Sequence, residues 1–212
     1  MIKIYNEDYN LTLHNLSSVK MVITSPPDPD EIHMKPDDLE YNQFLEEFCD
    51  TIIDVSNLIA IVITDRKHDG IISKHSDIIQ YFKDNDFRLL AHKIWVKSDK
   101  IDLFRLTYSH IMIFANGKIK QNHNKEYETD VWNIPREKYE GYLNGFPLEL
   151  VERIIKNFTE PKDLIYDPFM GSGTTAIAAT TYGRNCIGSE LDKDNYNMCS
   201  KRLKELEIQW VS

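Results

Sequence analysis

The chain has 212 residues, of which 42% are apolar and 28% charged, with a formal net charge of −9. That is enough for one domain with a sizeable core, and no apolar run approaches the ~18 residues that a membrane-spanning helix requires. The acidic balance argues against binding nucleic acid over the whole surface, and three cysteines without a Cys-x-x-Cys spacing make disulfides and a cysteine zinc site unexpected. The start, Met1-Ile2-Lys3-Ile4, lacks the apolar core of a signal peptide. The expectation is a soluble protein that is not secreted, in the cytoplasm or with the nucleoid or nucleus.

Apolar runs alternate with helical patterns along the whole chain. Residues 2–5, 21–24, 58–64, 89–96, 110–115, 164–166 and 185–189 read as strands, and 41–55, 76–84, 147–158, 174–182 and 195–206 as helices. This alternation predicts an α/β fold of Rossmann type: one domain over residues 1–212, with a seven-stranded, mostly parallel sheet and helices on both faces. Charge is unevenly distributed. Residues 28–50 carry nine acids and a single base, Lys35, whereas 97–125 carry six bases against Asp99 and Asp102. The first segment repels phosphate and the second attracts it, unless both are simply solvated faces.

Two stretches carry chemistry. Early in the chain, Val22-Ile23-Thr24 leads into Ser25-Pro26-Pro27-Asp28-Pro29, where adjacent prolines fix an extended, rigid turn after a buried strand. Near the other end, Leu164-Ile165-Tyr166-Asp167 passes through Pro168-Phe169-Met170-Gly171-Ser172-Gly173 into the helix opened by Thr174. Strand, glycine turn and helix make a nucleotide-binding shape, because glycines admit a ligand close to the backbone and the helix start offers unpaired N–H groups. Glu190 follows Gly171 by nineteen residues, about where a ribose-binding acid belongs, so a nicotinamide cofactor also fits this stretch taken alone.

Taken together, Thr24-Ser25-Pro26-Pro27 and Asp167-Pro168-Phe169-x-Gly171-Ser172-Gly173-Thr174 resemble the DNA amino-methyltransferases that modify cytosine N4 or adenine N6. The catalytic motif precedes the cofactor motif, which looks like the circularly permuted β-type order. Further segments share the likeness, among them Val131-Trp132-Asn133-Ile134-Pro135, Gly145-Phe146-Pro147 and the run from Gly183 to Asp192. A nicotinamide enzyme would leave Ser25-Pro26-Pro27 without a role.

The resemblance implies S-adenosylmethionine as cofactor and DNA, duplex or single-stranded, as substrate, in the setting of restriction and modification. It places Asp167, Pro168, Phe169, Gly171, Ser172, Gly173 and Thr174 around the cofactor, with Glu190 on the ribose, Asp8 at the adenine and Phe146-Pro147 at the methionine end. It assigns catalysis to Ser25, Pro26, Pro27 and the position of Asp28. Serine at the first motif position leans towards cytosine N4.

Where the family has an aromatic that stacks on the extruded base, this chain has Asp28. Stacking contributes ~1–3 kcal/mol per base, so the exchange implies weaker productive binding, a substitute ring such as Tyr41 or Tyr108, or a catalytically silent binding protein. Residues 116–130 form a short loop where relatives insert a target-recognition region. Arg105, Lys118, Lys120 and Lys125 are the candidate phosphate contacts, and a homodimer or partner subunit would extend the DNA surface. The seven histidines show no paired ligand spacing, so no metal site is expected, and His110 and His123 read as strand-end or loop residues.

Overall fold

The computed structural model describes residues 1–34, 39–67, 70–98, 106–119, 129–137 and 145–211. They fall into two compact units, one comprising Met1–Thr24 and Arg136–Ser212, the other Ser25–Lys120 and Tyr127–Pro135.

The first unit is built on four parallel strands, β1 (Ile2–Tyr5), β2 (Met21–Thr24), β9 (Leu164–Asp167) and β10 (Asn185–Ser189). Their order is β1-β10-β9-β2. All four residues of β2 are buried, as expected of a parallel strand covered on both faces. Four helices accompany them: α1 (Tyr9–Leu13), α4 (Leu148–Phe158), α5 (Thr174–Thr181) and α6 (Lys193–Val211). Helix α4 is amphipathic, with Leu150, Val151, Ile154 and Ile155 fully buried along one stripe. Helix α5 differs in kind, since six of its eight residues are buried and most are Ala or Thr. Small side chains all round let it pack against both α4 and β10. It stops at Gly183, whose φ of +70° places Arg184 N–H on the Ala179 carbonyl at 2.8 Å, a turn that favours glycine.

The second unit contains β3 (Leu58–Ile63), β6 (Arg88–Val96), β7 (Tyr108–Ala115) and β8 (Val131–Asn133), in the order β3-β7-β6-β8. Here β3/β7 and β7/β6 are antiparallel and β6/β8 is parallel. A small hairpin, β4 (Arg66–Lys67) and β5 (Ile71–Ile72), joins β3 to α3 (Lys74–Asp84), and α2 (Leu39–Ile53) precedes β3. Every residue of β3 is buried. A single 3-10 turn, Pro29–Ile32, follows the two prolines.

All seven expected strands and all five expected helices are present, with boundaries moved by a few residues, and parallel pairings predominate among those described. The elements that sequence did not suggest are short: α1, the 3-10 turn, the hairpin and β8. Among the described residues no helix is long and apolar enough to cross a membrane.

Candidate active site

In the first unit, β9 ends in Asp167, which is 2% exposed and closes the turn on itself. Its Oδ1 accepts from Phe169 N–H at 3.1 Å and its Oδ2 from the Thr175 hydroxyl at 2.6 Å. Burial, only partly offset by these bonds, pushes its carboxyl up to about 7. Gly171 and Gly173 hold φ of +54° and +85°, conformations that few side-chain-bearing residues adopt. At Gly173 the close approach is literal, because a Cβ would lie 2.5 Å from Cys199 Sγ on α6.

Glu190, just beyond β10, reaches across the turn: its Oε2 accepts from Gly171 N–H at 2.7 Å and its Oε1 from Asp192 N–H at 2.8 Å. It is 9% exposed, and burial raises its carboxyl above the ordinary range despite those two bonds. The Asn195 side chain is a third donor to it, which still leaves the carboxylate a lone pair for a further donor such as a ribose hydroxyl. A buried carboxylate with spare acceptor capacity beside a glycine turn fits a nucleoside with its ribose hydroxyls free.

The other predicted cofactor residues gather more loosely. Phe169 is half-buried, edge-on to Tyr9 at 5.2 Å, and Pro168 is buried. Phe146 is half-buried and accepts from the Thr174 hydroxyl through its carbonyl at 3.4 Å, with Pro147 capping α4. Asp8 caps α1 by accepting from Asn10 N–H at 2.9 Å. Ser172 and Thr174 turn towards Arg202 of α6, whose guanidinium donates to the Ser172 carbonyl at 2.6 Å and its hydroxyl at 3.0 Å. Sequence spacing offered no signal for Arg202.

In the second unit, Ser25 directly follows the last residue of β2 and is half-buried, Pro26 is buried and Pro27 half-buried. The Pro27 carbonyl accepts from the Tyr41 hydroxyl at 3.0 Å, and Tyr41 is fully buried. That corrects one expectation: Tyr41 braces the proline turn and offers no face for a base to stack on. Tyr108 is half-buried, edge-on to His110.

Asp28 is anchored from two sides. Its Oδ1 accepts from Lys74 Nζ at 3.0 Å and its Oδ2 from Arg66 at 2.8 Å, and Arg66 also pairs with Asp30. Glu31 accepts from Asp28 N–H at 2.8 Å, tying the residue to the 3-10 turn. The acid therefore does not present an uncompensated charge, contrary to what its position in the motif suggested. Lys74 is 1% exposed, and burial lowers its pKa although Asp28 pulls the other way. Neither Lys74 nor Arg66 was legible as a partner, since they lie 46 and 38 residues from Asp28 in sequence.

Of the candidate phosphate contacts, Lys118 is exposed, while Arg105, Lys120 and Lys125 lie outside the described residues, as does His123. Lys97, counted in the basic segment, turns inward instead: it is 9% exposed and donates to the Thr64 hydroxyl at 2.9 Å. His110, read as a strand-end or loop residue, lies near the start of β7 and is buried.

A family model described as DNA methylase, of the N6/N4 class, matches residues 19–201. The type II methyltransferase M1.MboII of Moraxella bovis is 37% identical over 107 residues, 45% of this chain and 41% of that protein. The chain spans about half the length of other curated relatives it matches. The fold is that of the M1.HpyAVI–SAM complex, with a TM-score of 0.74 at 23% identity over 95% of this chain and 100% of that one. It is also that of the cytosine-N4-specific PvuII DNA methyltransferase, with a TM-score of 0.80 at 17% identity over 94% and 85%.

Proposed function

The chain belongs to the N6/N4 DNA methylase family, and on that premise we propose that residues 1–212 act as one methyltransferase domain that methylates an exocyclic amino group of a DNA base, cytosine N4 in preference to adenine N6. The observation that carries the reading is Glu190 bonded to Gly171 N–H across the Asp167–Thr174 turn, in a chain that also holds Ser25-Pro26-Pro27 directly after β2. The cofactor is S-adenosylmethionine, held by Asp8, Phe146-Pro147, Asp167 to Gly173 and Glu190. When bound, it supplies a methyl group on a sulfonium.

An exocyclic amine conjugated to its ring is a poor nucleophile. The Ser25 hydroxyl and the Pro26 carbonyl accept hydrogen bonds from it, which favours tetrahedral nitrogen and frees the lone pair. Pro26 and Pro27 keep those acceptors still, and the Tyr41 hydroxyl fixes the carbonyl that follows. With its N–H groups held by Ser25 and Pro26, the nitrogen would take the methyl group that the bound cofactor would supply, the cofactor being left as its thioether and the displaced proton passing to water. Reaching Ser25 and Pro26 requires the base to leave the duplex, at a cost of a few kcal/mol.

The preference for cytosine rests on Ser25 at the motif's first position. Lys118, with Arg105, Lys120 and Lys125, contacts phosphate, and a second copy or partner subunit supplies further DNA contact. The reading places the protein with DNA, in the cytoplasm or nucleoid. The Lys74 and Arg66 contacts to Asp28 favour an active enzyme over a silent binding protein, because the carboxylate charge is countered before a base arrives.

Calorimetric titration with S-adenosylmethionine, run beside transfer of a labelled methyl group to duplex and single-stranded DNA, tests the reading. Binding together with transfer that is lost in Ser25→Ala supports it. Binding without transfer to either form of DNA contradicts it.

A further inference from the structure

Three side chains remote in sequence converge within the second unit. Asp65 follows β3, His75 lies in the first turn of α3, and His110 sits on β7 opposite Ile63 of β3 and Ile94 of β6. One oxygen or nitrogen from each falls within 4.8 Å of the other two. Asp65 Oδ2 lies 2.7 Å from His75 Nδ1 and 3.5 Å from His110 Nε2, and the two imidazoles stack at 3.8 Å. Asp65 and His110 are buried at 3% and 6% exposure, whereas His75 is a quarter exposed and opens the group towards solvent.

His110 Nε2 is poorly provided for within this group. His110 Nδ1 is 2.9 Å from His92 Nε2, so one of these nitrogens donates to the other. If His110 Nδ1 carries the proton, the bare lone pair of Nε2 faces the Asp65 carboxylate. If Nε2 carries it, that buried N–H finds only the Asp65 carboxylate, at 3.5 Å, a long contact that falls short of a good hydrogen bond. A cation bound by Nε2 removes either defect. His92 then does what an outer partner of a ligating histidine does, fixing its tautomer and ring orientation from the far nitrogen. Asp65 is oriented likewise, since its Oδ1 accepts from His75 N–H at 3.2 Å.

We propose that Asp65, His75 and His110 form a site for a divalent transition-metal ion of the Zn²⁺ class, with His92 as its outer partner. Two imidazoles and one carboxylate select Zn²⁺, Fe²⁺, Co²⁺ or Ni²⁺ over Mg²⁺ and Ca²⁺, which prefer all-oxygen shells. Bonds of ~2.0–2.2 Å to each donor require the His75 ring, the more exposed of the stacked pair, to rotate so that both lone pairs meet one ion. The residues next to two of the ligands, Arg66 and Lys74, are the two that hold Asp28. The ion thus staples the segments that anchor the turn behind Ser25-Pro26-Pro27. This site is independent of whether the chain transfers methyl groups.

The test is a titration of chelator-treated protein with Co²⁺, followed by its visible ligand-field absorption, and with Zn²⁺, followed by calorimetry and thermal unfolding. The site predicts one equivalent bound, no thiolate charge-transfer band, and a rise in unfolding temperature with Zn²⁺. His92→Ala should weaken binding ~10–100-fold, the effect of losing an outer partner, and His110→Asn should weaken it further. His75→Gln, at a partly exposed position that leaves folding intact by circular dichroism, should also lose binding. No Co²⁺ or Zn²⁺ binding by the parent protein, or undiminished binding in both His75→Gln and His110→Asn, overturns the proposal.

Discussion

Lys74 Nζ donates to Asp28 Oδ1 at 3.0 Å from a side chain that is only 1% exposed. The position that carries a stacking aromatic elsewhere in the family is thus the counter-ion of a buried ammonium. Asp28→Tyr alone should destabilise, because it strands Lys74. The expected loss is ~1.5–3 kcal/mol, the worth of a hydrogen bond to a charged group, and below the ~3–5 kcal/mol of a fully buried pair because Asp28 is partly exposed. Asp28→Tyr combined with Lys74→Met should recover most of it. Urea unfolding of the two variants and the parent checks the pair, and equal stability of Asp28→Tyr and parent would contradict it.

With Glu190 on the cofactor's ribose, as proposed, its titration gives cofactor binding a pH dependence. A ribose diol needs the carboxylate as acceptor, and burial raises the pKa of Glu190 above its ordinary value of 4.5. Affinity should therefore be full at alkaline pH and fall as the pH drops through that raised value, before an ordinary glutamate would titrate. Glu190→Gln should bind more weakly and lose this dependence. Calorimetric titrations of S-adenosylmethionine across pH 5 to 8, roughly the span over which such shifts act, give the comparison.

Asp167 makes a separate prediction for the stability of the cofactor-free protein. Its folded-state pKa, about 7, lies above the 3.8 of an exposed aspartate, so folding favours the protonated form. That contribution is fully present below the unfolded value and is lost as pH rises through the folded one. The parent should lose stability between about pH 4 and pH 7, by on the order of 4 kcal/mol from this group. Asp167→Asn keeps the shape and removes the charge, and should flatten the profile of unfolding free energy against pH in that window. A variant profile as steep as the parent's would count against this account of Asp167.

Gly173 combines two constraints that can be separated. Ala at a φ of +85° carries a backbone penalty of ~1–2 kcal/mol, and its Cβ would collide with Cys199 Sγ, adding an overpacking penalty of ~1–3 kcal/mol. Gly173→Ala should lose both. With Cys199→Ala present, the step from Gly to Ala should lose only the backbone part, so the two changes are non-additive in denaturant unfolding.

The strand–glycine turn–helix was legible because it is local: strand, glycines and helix start lie within thirteen consecutive residues, 164–176, and Glu190, which bonds Gly171, follows at a characteristic distance. Long strands and helices announced themselves by periodicity in the same way. What remained hidden depends on partners brought together by folding. Nothing near Asp28 points to Lys74 or Arg66, nor does anything near Gly173 point to Cys199. Histidines separated by 17, 18 and 35 residues do not look like one cluster until β6, β7 and α3 place them side by side. Lys97 shows the converse, since a lysine in a basic stretch reads as surface until its burial beside Thr64 is seen. Short elements such as β8 escaped because three residues hold too little of a period-two pattern to register.

In the proposed reaction an amino nitrogen of DNA, positioned by Ser25 and Pro26, receives a methyl group. Its most direct test is to incubate DNA with the protein and isotopically labelled S-adenosylmethionine, digest the DNA to nucleosides, and identify the labelled product by mass spectrometry. The prediction is label in N4-methylcytosine from the parent protein and none from Ser25→Ala. Label in neither N4-methylcytosine nor N6-methyladenine, from a preparation that binds the cofactor, would contradict it.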